Sequence, residues 1–142
     1  MTPPRTFSEK SRRLDEIASI AGEFIAMSRS IAGELIERDD NATGYLGFSC
    51  GVVDAMSHQA GLDVQDTKEV LNRYLSLVFN DDDQKVKNTL AVIAQIPGDA
   101  SWSHSIEVGG HAALQFLASK SAFPSVACFA LSKMLKATTA RP

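Results

Sequence analysis

Three glycines inside one helical stretch constrain this chain more than any other feature. Thr43–Ala60 reads T-G-Y-L-G-F-S-C-G-V-V-D-A-M-S-H-Q-A, with Gly61 behind it. At helical spacing, Tyr45, Phe48, Val52 and Met56 form an apolar stripe, widened by Leu46 and Val53. Gly44, Gly47, Gly51 and Ala55 form a second stripe with almost no side chain. Each interior glycine costs roughly 1 kcal/mol relative to alanine. The stripe therefore predicts a second helix approaching that face closely, as small-residue faces allow. Gly109-Gly110, further along the chain, is the patch that would receive it.

The rest of the chain reads as helices too. Met1–Thr6, with Pro3 and Pro4, is expected to be a loose arm. A first helix is predicted over Ser8–Arg38. Leu14, Ile17, Ala21, Phe24, Ile31 and Leu35 fall on its a and d heptad positions, with Ser28 the one polar member. A bend is expected near Ser28–Ser30. Asp39-Asp40-Asn41 is a turn with a ready N-cap. It mimics the start of a calcium loop, but the twelfth position is Cys50 where a glutamate is needed, so the loop is rejected. Gly61 closes the central helix as its left-handed C-terminal residue. Asp63 caps a third helix, Val64–Phe79, and a fourth follows over Asp82–Gln95 after an acidic turn suited to a helix N-terminus. Pro97-Gly98-Asp99 ends it, a fifth spans Ser101–Ser119, and the last starts at Pro124. The fold class is all-α: a compact array of about six helices, with a long N-terminal helix and a glycine-rich central one. One domain over 1–142 is expected, its ends at 1–6 and 138–142 loose.

Composition narrows the function classes. The chain has 142 residues, 44% hydrophobic and 22% charged, with a net charge of −3. That balance argues against nucleic-acid binding, which calls for a basic stripe. Arg5, Lys10, Arg12 and Arg13 cluster, but Asp15, Glu16 and Glu23 follow at once, which marks a solvated face. No segment approaches the ~18 continuous apolar residues of a membrane span. Cys50 and Cys128 sit in apolar helical patterns and read as buried free thiols. The expected compartment is the cytoplasm, with an exported form cut from a longer precursor left open.

Chemistry could reside in the histidines. Asp54 and His58 are one helical turn apart, as are Glu107 and His111, with His104 a further turn back. If the glycine faces meet, these pairs could converge in the core, and bundles do build metal sites that way. Such donors would suit zinc or iron. The spacing nonetheless matches neither H-E-x-x-H nor E-x-x-H, and otherwise no cofactor is expected. Cys50 lacks a basic neighbour or a C-x-x-C partner, Ser49 in G-F-S-C-G lies within a helical stretch that follows no strand and so lacks the setting of a nucleophile, no serine sits in S-x-x-K, and no phosphate loop is present.

The run G-Y-L-G-F-S-C-G-V-V-D-A (Gly44–Ala55), with G-L-D-V-Q-D-T-K-E-V-L-N-R-Y-L (Gly61–Leu75), resembles the small helical immunity proteins that neutralise amidase effectors of type VI secretion. The likeness covers about a quarter of the chain and rests on a glycine-spaced G-Y-x-x-G-x-x-D-type helix followed by a V-x-x-x-L helix. Those proteins are typically exported and disulfide-bonded, whereas this chain shows no signal segment. The resemblance implies a bacterial, compact partner-binding module and assigns no functional residue.

Two functions follow as expectations. The first is a non-enzymatic protein-binding module of adaptor, chaperone or inhibitor type. It would self-associate, as a homodimer, through Leu14, Ile17, Phe24, Ile31 and Leu35, with neither nucleic acid nor membrane as partner. The alternative is a metal-dependent enzyme or metal sensor using Asp54, His58, His104, Glu107 and His111.

Overall fold

The computed structural model describes residues 5–37, 41–96, 98–119 and 126–139. Six α-helices follow in order: α1 (Arg5–Ala32), α2 (Ala42–Gln59), α3 (Val64–Val78), α4 (Asp83–Gln95), α5 (Ala100–Ser119) and α6 (Ala130–Thr139). Short 3-10 turns at Gly33–Glu37 and Val126–Phe129 follow α1 and precede α6. There is no strand among the described residues. The all-α array with its long first helix is what the helical periodicities predict. Met1–Pro4, Asp39, Asp40, Pro97, Pro124 and 140–142, on which several expectations fell, lie outside the described residues.

α2 and α5 form the most extensive helix pair, and their glycines lie in it. Gly47 faces Trp102 and Ser105, Gly109 lies under the Phe48 carbonyl, and Gly51 packs on Ile106 and Gly110. Positions rise together on both helices, so the pair is parallel. At Gly51 and Gly109 the facing atoms are backbone, and a β-carbon would not fit. Gly44 is different: its nearest neighbours are Leu135 and Met134 of α6.

α1 lies over this pair and supplies much of the core. Leu14, Ile17, Ala18, Ala21, Phe24, Ile25, Ser28 and Ala32 are buried. The Phe24 ring stacks on Phe116, 4.7 Å between centroids, and leans on Phe48 at 6.1 Å. The expected heptad register drifts along the helix. A straight α-helix gains ~20° on a strict seven-residue repeat every heptad. Five turns beyond Leu14, Ala32 and not Ile31 faces inward. The expected bend near Ser28–Ser30 is not where the helix breaks. α1 continues to Ala32 and ends at Gly33, whose φ of 57° is left-handed.

The caps differ from expectation at one end only. Leu62 N–H donates to the Ser57 carbonyl and Gly61 N–H to that of His58, both at 3.0 Å, with Gly61 left-handed at φ 79°. That is the paired closure of a Schellman motif. Asp63 and Asp82 accept from Asp66 N–H and Lys85 N–H, at 2.8 and 3.2 Å. Asn41, the expected cap of α2, does not cap it. Its backbone is already αR, and its amide instead donates back to the Leu35 carbonyl at 2.7 Å.

Polar contacts tie α1 to the α3 side. Arg73 donates to the Ser11 carbonyl at 2.6 Å and pairs with Asp15 and Glu69 at 3.0 and 3.2 Å. Lys10 pairs with Asp66 at 3.0 Å, and Arg13 donates to the Ala60 carbonyl. Lys10, Arg12 and Arg13 are all exposed, as a solvated face requires, and Arg12 pairs with Glu16 along the helix.

Candidate functional site

The five candidate metal ligands do not gather. Asp54, His58, His104, Glu107 and His111 are all exposed. The glycine faces do meet, but Glu107 and His111 are two residues either side of Gly109, roughly 160° around the helix from it. Packing Gly109 on α2 therefore turns both outward. No hydrogen bond joins Asp54 to His58 or Glu107 to His111, and no three His, Cys, Asp or Glu side chains could share one metal ion among the described residues. His104, Glu107 and His111 do line one shallow groove beside Ala130.

The five residues expected to bind a partner need a larger correction. Leu14, Ile17 and Phe24 are 4%, 8% and 0% exposed, so they belong to the chain's own core. Leu35 packs against that core half-buried, and Ile31 alone is exposed. Along that stripe α1 packs against α2, α3, α5 and α6 of the same chain.

Cys50 is a half-buried free thiol, and Cys128 is buried. Burial pushes the Cys50 thiol up to about 11, and the nearby Asp54 charge adds to it. A thiol so placed stays protonated at neutral pH and is a poor nucleophile. Burial also raises the Tyr74 hydroxyl, against Tyr45 and Ser49.

A cleft of about 520 Å³ opens where the first turns of α2 and α5 meet the end of α6, between Thr43, Ser101, His104 and Leu135. Asn41 stands on its wall, wholly buried, with its side-chain oxygen unpartnered. Asp99 already caps α5 there, accepting from Trp102 N–H at 2.9 Å.

The feature that sequence reasoning missed is α4. Its one substantial neighbour among the described elements is α3. Val86 is buried at that contact, and Leu90, Ile93 and Ile96 are only partly covered. Ala91, Val92 and Ala94 are exposed, Val92 at 53%. From Asn88 to Ile96 the chain reads N-T-L-A-V-I-A-Q-I, without one ionisable side chain. An outer helix normally carries charge on its solvent side. That nine-residue gap was visible in the sequence and is the signal that could have found this surface.

No family model, curated protein or solved structure matches the chain. No helix among the described residues is long and apolar enough to cross a membrane.

Proposed function

We propose that the protein is a non-enzymatic binding module whose docking surface is the outer face of α4. The observation that carries this reading is a peripheral helix, held mainly by α3, whose exposed side bears Ala91, Val92 and Ala94 and no charge over its last two turns. Apolar surface left on a helix face with a polar frame is the usual mark of a protein-interaction site. The uncharged Asn88 and Gln95 lie between Val92 and Ala91 on that side, and Lys85 and Lys87 come just before Asn88. The dispersed histidines and the protonated thiol favour binding over catalysis. The likeness of Gly44–Leu75 to immunity proteins leans toward an inhibitor among adaptor, chaperone and inhibitor roles.

Affinity capture from the native host tests this, comparing wild type with Val92→Lys and with Ile20→Lys. Ile20 is a 39% exposed apolar residue on α1 and serves as the control. Partners retained by wild type and Ile20→Lys but lost by Val92→Lys fit the proposal. Partners lost equally by both variants, or kept by both, would refute it.

A further inference from the structure

We propose that the cleft between the first turns of α2 and α5 and the end of α6 binds a small, uncharged molecule that carries a primary amide. This site is independent of the α4 face. Asn41 is the residue that calls for an occupant. Its side-chain nitrogen donates to the Leu35 carbonyl at 2.7 Å, which fixes the amide, since the flipped group would set oxygen against oxygen. The side-chain oxygen is left facing away from that carbonyl, and the cleft is the open space that Asn41 borders. Asn41 is wholly buried, so bulk water does not serve this oxygen, and nothing among the described residues donates to it. A buried acceptor left without a donor is rare in folded proteins and costly.

The opposite requirement lies beside it. Thr43 and Ser101 line the same cleft from the first turns of α2 and α5, and their hydroxyls can donate to an acceptor. No side chain among the described residues caps α2, because the Asn41 backbone is already helical. An occupant must therefore donate to Asn41 Oδ1 and accept from the helix ends, and a primary amide does both in one planar group. Neither ion fits as well. An ammonium would face the positive ends of two parallel helices, and a carboxylate would offer Asn41 no proton. No lysine, arginine, aspartate or glutamate lines the cleft among the described residues, so neither ion finds a counter-charge there. Gly44, Ala100, Leu135 and Ala137 give apolar wall for a short hydrocarbon body. A cleft of about 520 Å³ falls within the roughly 300–1,000 Å³ usual for small-molecule sites.

NMR titration of the whole chain with isobutyramide, beside isobutyrate and isobutylammonium, tests the inference on wild type, Asn41→Leu and Ser101→Leu. It is run at about pH 8, where an ordinary imidazole is uncharged. Circular dichroism reports whether each variant folds. Ser101 is exposed, so its variant narrows the cleft without disturbing the core and decides alone if Asn41→Leu unfolds. Saturable shifts at Thr43, Gly44 and Ser101 with a Kd below about 10 mM, seen with the amide and weakened at least tenfold by the folded variants, support it. The absence of saturable shifts in wild type overturns it and leaves Asn41 with at most a trapped water. Binding of either ion as strong as that of the amide, or shifts that Ser101→Leu leaves unchanged, overturns it too.

Discussion

Gly51 of α2 lies against the Ile106 carbonyl of α5, with no room between them for a β-carbon. Gly109 answers from the other helix, beneath the Phe48 carbonyl. These two contacts set how closely the central pair can approach, and α1 and α6 are laid over the result.

Gly51→Ala and Gly109→Ala should each lower stability by about 3 kcal/mol or more, because backbone must move to admit a methyl group. Gly22 supplies the contrast. A β-carbon there would meet the Tyr74 ring at 3.7 Å, an ordinary contact. Gly22→Ala should raise stability by up to about 1 kcal/mol through helix propensity. Urea unfolding of the three variants measures both signs.

Ser57 is wholly buried, and its hydroxyl has no hydrogen-bond partner among the described residues. Ser57→Ala removes a stranded polar group and improves helix propensity, so a gain of about 1 kcal/mol is expected. Thermal unfolding should show it as a rise of roughly 3 °C. A lower midpoint would mean that the hydroxyl is bonded in solution.

Alkaline pH should destabilise the fold in a defined window. The Cys50 thiol is raised by burial from an ordinary 9.0 to about 11, and the Tyr74 hydroxyl is raised as well. Both groups are neutral when protonated, and folding favours that form. Their contribution is complete below the unfolded-state values and is lost as pH climbs toward the folded ones. Urea midpoints should fall as pH rises from about 9 to about 11, and less steeply in Cys50→Ala. A midpoint that rose over that interval would reverse the assignment.

The fold was legible because its main devices are local. The Asp63 cap, the acidic turn before α4 and the left-handed Gly61 each act within a turn or two of chain, and the glycine stripe signals its distant partner by having no side chains. The failures were matters of tertiary context. Seven-residue spacing marked Ile31 for an interface, but a straight helix rotates that position out and brings Ala32 in. Leu14, Ile17 and Phe24 were read as a spare stripe because the sequence does not say how many helices lie over α1. Glu107 and His111 share a face, yet which way it points is decided by the packing of Gly109. Asn41 had the chemistry of a cap, but its backbone is already helical, so its side-chain oxygen does not accept from the first turn.

The buried status of α1 has a direct test. Phe24→Ala should cost about 3–5 kcal/mol, since it empties the space between Phe48 and Phe116. Val92→Ala, on the open side of α4, should change stability by no more than about 0.5 kcal/mol. Denaturation curves showing comparable effects would contradict the division between core helix and docking helix.

Hydrogen exchange followed by mass spectrometry, on the protein alone and with a partner captured from the host, tests the central claim most directly. The account predicts that peptides covering Asn88–Ile96 gain protection on adding the captured partner, while peptides of α1 keep the protection they already have. Protection gained along α1 or α5, with α4 unchanged, would contradict it.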